Sequence, residues 1–443
     1  MSSPDPITQL LVTVPVVILG CQAGARLMRR CGQPPVIGEI TVGILLGPSL
    51  LGSLFPQAQQ WLFPDSALVP LSALGTVGLL TFMFLAGLEL DLGALRGQGR
   101  ATLAVSQTGM WLPLGLGAVL ALAMYGPLAP DGVGKPVFVM FIAVAMSITA
   151  FPVLARILDD RGLHGTPVGA LAMACAAVDD VTAWCLLAVV MATIASTGLL
   201  GAGVTALAAA GFVVVLLAVV RPLLGRRAHL AERHADSVVM TFLVSGLFLA
   251  AFTTDRIGVH ALFGAFLLGV AVPGHSRKVA RCAGQMRTFV VPVLLPLYFV
   301  VGGLHTDVLL LVGSLDLWLW TAVVVVVAVA GKWGGTALAA RAAGHDWNSA
   351  LAIGALMNCR GLTELIVLNI GREQGVIGTE LFTVLVVMAL LSTAVTSPAV
   401  SRLLRGAPEP SGGAPASSGG AAAVGGTRHA LRTAPAERPG RAA

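Results

Sequence analysis

The sequence predicts an all-α polytopic membrane protein with about thirteen transmembrane helices, and three observations lead there. Apolar residues make up 56% of the 443 residues, charged residues only 11%, and the mean hydropathy is +0.88. Soluble domains carry about 25% charged residues, so a soluble surface could not be built from this chain. Second, apolar runs near the roughly 20 residues that cross a bilayer core recur between polar and Gly/Pro breaks. Third, the basic residues alternate from loop to loop as the positive-inside rule requires.

The spans are expected at 7–28, 36–54, 70–89, 101–125, 137–158, 166–197, 201–224, 237–255, 259–273, 288–304, 316–342, 349–370 and 376–403, the ninth being the shortest. The first is preceded by Asp5 and no basic residue and is followed by Arg26, Arg29 and Arg30. A cleavable signal has its basic residues before a shorter apolar core, so this run reads as a first span with its N-terminus outside. With that orientation the cytoplasmic loops and tail hold 22 of the 27 Lys and Arg. Outer loops hold Lys135, Arg256 and Arg372, and spans hold Lys332 and Arg360. Adding or dropping one span would scramble the alternation. Residues 1–403 form the membrane domain. From 404 to 443 the chain is rich in Gly, Ala, Pro and Ser and reads as a disordered cytoplasmic tail.

The net charge of +6 follows from that topology and does not indicate nucleic-acid binding. The six cysteines form no C-x-x-C pair, and most lie in apolar runs. They read as small buried side chains, with neither a disulfide framework nor a zinc site suggested. No cofactor is expected. Gly134-Lys135 is followed by Pro136, so a phosphate-binding loop lacks its Ser/Thr.

The chain also repeats itself. At an offset of 216, Gly87, Leu88 and Asp91 ending the third span match Gly303, Leu304 and Asp307 ending the tenth. Gly43–Gly47 of the second span echoes Phe266–Gly269 of the ninth. Copies seven spans apart face opposite sides of the membrane. That is the pattern of inverted-topology repeats, roughly 36–224 and 237–403 with the first span extra, as found in secondary transporters.

Charges at bilayer depth are costly and need a reason. Asp179 and Asp180 lie about 20 Å along their span, near the midplane. Adjacent helix residues point about 100° apart, so one carboxylate faces a wet funnel while the other meets a neighbouring helix. Two close carboxylates raise each other's proton affinity, and one that titrates near neutral pH can trade a proton for a cation. Lys332 lies too deep in its span to snorkel, which suggests an ion pair with Asp179 or Asp180. Pro152, just after Ser147 and Thr149, and the polar run Asn358, Arg360, Glu364 interrupt the fifth and twelfth spans. Freed backbone groups at that depth survive only beside protein or a wet cavity. Paired interruptions in corresponding spans point to a transport site. Glu39, near the inner end of the second span, is either interfacial or a funnel residue.

Several stretches together resemble the monovalent cation:proton antiporter-2 family of bacterial sodium/proton and potassium/proton exchangers. They are Pro35–Glu39 with Gly43–Pro48, Phe84–Leu90, Thr149–Pro152, Asp179-Asp180, Gly331-Lys332 and Arg360-Gly361, in order over about residues 7–403. The resemblance implies a homodimer in a bacterial cell membrane. It implies a dimerisation domain and a six-helix core with two crossed, broken helices that moves like an elevator. It makes Asp180 the ligand of Na+ and the proton carrier, Asp179 its partner, Lys332 the switchable ion-pair residue, paired with the first acid, and Thr149 a contributor near the crossing. Arg360, Glu364, Asn358 and Pro152 would support the crossing. Potassium exporters of the family often lack the acidic pair and append a nucleotide-binding domain, which is not expected here, so the resemblance favours Na+ over K+. The rival outside this class is a cation channel. An intramembrane aspartyl protease needs acids on two helices, which Asp179 and Asp180 do not supply.

Overall fold

The computed structural model describes residues 6–89, 100–163, 166–195, 199–226, 232–274 and 276–404. Asp91 of the repeat and the expected tail beyond 404 lie outside them. Among the described residues the chain is helical, with no strand. Ten helices among the described residues are long and apolar enough to cross a membrane.

In chain order the helices are α1 (Pro6–Arg30), α2 (Pro35–Leu46, continued by a π turn), α3 (Pro56–Leu62), α4 (Asp65–Glu89), α5 (Arg100–Leu128), α6 (Lys135–Ser147), α7 (Phe151–Asp160) and α8 (Pro167–Ala195). There follow α9 (199–226), α10 (Asp236–Ile257), α11 (Ala261–Ala271), α12 (277–304), α13 (Leu315–Ala342), α14 (Trp347–Met357), α15 (Leu362–Glu373) and α16 (Thr379–Leu403). α9, α12 and α13 each contain a π segment. Local chemistry sets the ends. Pro35 begins α2, where its missing N–H is no loss. Gly258, at φ 93°, closes α10 by donating its N–H to the carbonyls of Asp255 and Thr254. Asp346 caps α14 by accepting from the N–H of Ser349 at 3.0 Å. Hydrogen bonding from the Ser349 side chain, and then from its N–H, holds the Asp346 carboxyl below the usual carboxylate range.

The helices sort into two sets by their packing. α1, α2, α4, α10, α11 and α12 pack on one another, and so do α5 to α8 and α13 to α16. α9 runs between the sets, touching α8 on one side and α10 and α11 on the other, and only 6% of its apolar window is buried. In the first set two crossings depend on glycine. A Cβ on Gly87 would stand 2.1 Å from the Phe266 carbonyl oxygen, and one on Gly269 would stand 2.1 Å from that of Phe84, so α4 and α11 meet backbone to backbone. α2 and α12 meet the same way, a Cβ on Gly303 falling 2.5 Å from the Gly43 carbonyl carbon. Between the sets, Ile40, Phe299, Gly302 and Gly303 face Leu365, Asn369, Phe382 and Val386.

Candidate functional site

The second set is organised around two breaks. α6 stops at Ser147, residues 148–150 are non-helical, and α7 starts at Phe151. α14 stops at Met357, and α15 starts at Leu362. The break precedes Pro152, which is the second residue of α7, a position where proline's missing N–H leaves no bond unmade. The two gaps pair with each other. Ala150 donates its N–H to the Cys359 carbonyl at 3.0 Å, and the Thr149 hydroxyl lies 3.2 Å from the Met357 carbonyl. Gly361 holds φ 155°, a conformation disfavoured for residues with a Cβ, and a Cβ there would stand 2.9 Å from Val153 Cγ2.

A helix ending inside the membrane exposes its last carbonyls to a medium without water. The last four of α6 are each answered by a side chain. Ser147 donates its hydroxyl to the Val144 carbonyl at 2.8 Å. Arg360 donates from Nη1 to Ala145 at 3.2 Å and from Nη2 to Met146 at 2.5 Å. Lys332 donates from Nζ to Ser147 at 2.6 Å. Two cations thus sit at the negative end of a helix dipole. Arg360 also pairs with Glu364 at 2.9 Å, both side chains fully buried, and its backbone N–H donates to Thr393 Oγ1. Asn358 donates to the Ser392 carbonyl at 3.4 Å. Arg360, Glu364 and Asn358 therefore all belong to the crossing.

Beside the crossing, midway along α8, stand the two acids. Asp179 is fully buried and fully engaged. Its Oδ1 accepts from Ser106 of α5 at 2.7 Å. Its Oδ2 accepts from Thr149 at 3.1 Å and from Lys332 at 2.9 Å. Of the two partners open to Lys332, the structure therefore selects Asp179. Asp180 points elsewhere, as adjacent helix positions must. It is 7% exposed, its buried Oδ1 has no hydrogen-bond partner among the described residues, and its carboxylate meets the backbone N–H of Phe151 that opens α7. The positive end of one half-helix thus faces the free acid while the negative end of the other faces the cations.

Ser106 and Thr393 escaped the sequence reading. Each is one of several neighbouring hydroxyls in an apolar helix, Ser106 beside Thr102 and Thr108 and Thr393 beside Ser392 and Thr396, so nothing local singles it out. Glu39 is half-buried on α2, one turn on from Val36, which lies beside Gly361.

The fold and this crossing define an all-helical membrane transporter. Residues 16–406 match the family described as "Sodium/hydrogen exchanger, transmembrane", and the chain belongs to that family. It is 40% identical over 397 residues to the Na(+)/H(+) antiporter NhaS4 of Synechocystis sp., covering 89% of this chain and 97% of that one. It is also 40% identical to the Cation/H(+) antiporter 20 of Arabidopsis thaliana and 32% identical to the K(+)/H(+) antiporter 1 of Saccharomyces cerevisiae. Each of those matches covers 90% of this chain, which spans about half the length of these two relatives, 49% and 46%. Among solved structures the sodium proton antiporter MjNhaP1 of Methanocaldococcus jannaschii shares the fold. Its TM-score is 0.68 at 14% identity, over 91% of this chain and 99% of that one.

Proposed function

We propose that the chain is a secondary antiporter that exports cytoplasmic Na+, and Li+ with it, in exchange for external H+. The observation that carries this reading is the unequal engagement of two neighbouring acids. Asp179 is closed by Ser106, Thr149 and Lys332, whereas Asp180 keeps an unpartnered buried oxygen beside the crossing. An anionic oxygen at that depth calls for either a proton or a metal cation, and one negative charge holds one of them at a time. Protons entering from outside displace the cation at Asp180, and the cation displaces them from inside. Lys332 and Asp179 part and re-form within the cycle, exchanging a second proton, so two protons move per Na+ and transport is electrogenic.

The same reading counts thirteen spans. The ten long helices are joined by α6–α7 and α14–α15 as two broken spans and by α11 as a short one. The N-terminus lies outside and the C-terminus in the cytoplasm, as the loop charges require. The glycine crossings support inverted repeats: α4 on α11 is the mate of α12 on α2. The homodimer and the elevator movement of the second set rest on the family resemblance.

The test is dequenching of a pH dye in proteoliposomes with Na+, Li+ and K+ compared. Na+ and Li+ dissipate the pH gradient, and Asp180→Asn protein, inserted normally, does not. Exchange by Asp180→Asn protein at the wild-type rate overturns the site, and a flux that ignores the pH gradient and does not saturate makes the chain a channel. K+/H+ exchange is the second reading, favoured by the yeast K(+)/H(+) antiporter 1, and the K+ arm decides it.

A further inference from the structure

The three donors that hold Asp179 have a second feature in common: each also has a backbone carbonyl within reach. The Ser106 hydroxyl lies 2.7 Å from Asp179 Oδ1 and 3.3 Å from the Cys175 carbonyl, one turn earlier on α8. The Thr149 hydroxyl lies 3.1 Å from Asp179 Oδ2 and 3.2 Å from the Met357 carbonyl. Lys332 Nζ lies 2.9 Å from the same Oδ2 and 2.6 Å from the Ser147 carbonyl. A buried polar group left without a partner carries its full desolvation penalty, so these carbonyls decide what can move cheaply.

The two partners of the ion pair are not equally free. If Lys332 swung away, the Ser147 carbonyl that ends α6 would lose the donor that answers it, at a depth without water. If the Asp179 carboxylate turned instead, by one staggered step of its side chain, Ser106, Thr149 and Lys332 would each keep a carbonyl. Turning the acid strands no donor. What resists the turn is Ser106, which engages Oδ1, while Thr149 and Lys332 share Oδ2. Ser106 is itself held in register. One turn before it, the Cys175 thiol donates to the Thr102 carbonyl at 3.7 Å, so α5 and α8 are tied at two successive turns. Ser106 is fully buried, and α5 carries no charged side chain beyond Arg100, so the grip of α5 on the acid is a hydrogen bond and not a charge.

We propose that Ser106 is a positioning residue of the exchange cycle: it latches the Asp179 carboxylate onto Lys332, and the pair opens when that carboxylate turns off the hydroxyl while the lysine stays on the end of α6. The proposal rests on the reading above, in which Lys332 and Asp179 part and re-form. The turned carboxylate joins Asp180 around an arriving cation, which supplies the positive charge that Lys332 no longer shares with it. Cation binding therefore works against the Ser106 bond. A ligand whose binding-competent state is made easier to reach binds more tightly in proportion, so a chain without the hydroxyl needs less cation to saturate. General damage to a packed site has the opposite effect.

The test is the apparent cation affinity of the purified full chain in detergent, read as thermal stabilisation by NaCl, LiCl or KCl with choline chloride holding the ionic strength. Wild-type protein is stabilised and Asp180→Asn protein is not. Wild-type protein indifferent to all three cations overturns the exchange reading and the proposal with it. With that reading upheld, Ser106→Ala lowers the half-saturating concentration of the stabilising cation about tenfold. Tenfold corresponds to about 1.4 kcal/mol, close to what the weaker hydrogen bonds to charged groups contribute. Ser106→Thr, which keeps the hydroxyl, stays near the wild-type concentration. In a Lys332→Gln background Ser106→Ala lowers it far less, because the pair that the hydroxyl latches is gone. A Ser106→Ala protein that folds and needs as much cation as wild type, or more, overturns the proposal. An equal shift with and without Lys332 also overturns it, and places Ser106 at the ion rather than at the pair. A structure of cation-saturated wild-type protein needs no variant to fold: Nζ still on the Ser147 carbonyl upholds the proposal, and Nζ drawn off it makes the lysine the moving partner and overturns it.

Discussion

The Asp179 carboxylate accepts hydrogen bonds from three helices, α5, α6–α7 and α13, while its neighbour Asp180 keeps an oxygen free. That difference between adjacent residues follows from the 100° step of the helix and from where Lys332 reaches. Removing one partner of a buried ion pair leaves an uncompensated charge, at a cost of about 3–5 kcal/mol. Lys332→Gln is therefore expected to lower thermal stability in detergent, and Asp179→Asn added to it is expected to recover most of the loss. Lys332→Gln protein that still exchanges ions should lose its response to membrane potential. Equal melting temperatures for wild type and Lys332→Gln would show that the pair does not act as a charged couple. The presence of these charges was legible in the sequence, because five ionisable residues stood in apolar runs. Which acid Lys332 takes was legible only through the family resemblance, which pairs the lysine with the first acid; the residues alone left it open, since both lie one helix step apart and the placement of α13 against α8 decides between them.

The broken helices show how an element survives ending inside a membrane. α6 can stop at Ser147 because Arg360 and Lys332, distant in sequence, supply donors to its last carbonyls. The sequence signalled both interruptions, Pro152 in one span and the Asn358–Glu364 run in the other. It placed the first at the proline, whereas the gap lies at 148–150 and the proline opens the next half-helix. Side-chain capping by a distant arginine leaves no local pattern to read. Gly361 marks the other gap, and its φ of 155° tolerates no Cβ without strain of about 1–3 kcal/mol. Gly361→Ala is expected to lower the melting temperature and the yield of inserted protein. Val153→Ala removes the 2.9 Å contact but not the backbone strain, so it should restore only part of the loss. Full recovery in the double variant would reduce the role of Gly361 to simple crowding.

At the scale of the whole molecule, few hydrogen bonds join the two helix sets. At one end the Asp307 N–H donates to Thr383 at 3.3 Å, and Gly302 faces Asn369. At the other end Gln33 donates to the Ala394 carbonyl at 3.1 Å, and Ser397 to that of Gly32 at 2.8 Å. These are single hydrogen bonds with a backbone partner, and the rest of the contact is apolar, Trp184 stacking on Phe266 within it, so sliding one set on the other breaks few directional bonds. A cysteine at each of Gly302 and Asn369 would tie α12 to α15. A Cβ on Gly302 stands 3.5 Å from Asn369 Cγ, with the Asn369 Cβ lying beyond it, so a bridge draws the two helices slightly closer to reach the 3.5–4.5 Å that a disulfide spans. If the second set moves as a body, oxidising that pair stops exchange and a reductant restores it, while either cysteine alone leaves exchange responsive to neither treatment. Native Cys31 and Cys185 are exposed, so both are first replaced by serine. Exchange that continues at full rate with the bridge verified by mass spectrometry would mean that the ion reaches both sides without movement along this contact. Alternating access would then have to arise within the crossing itself.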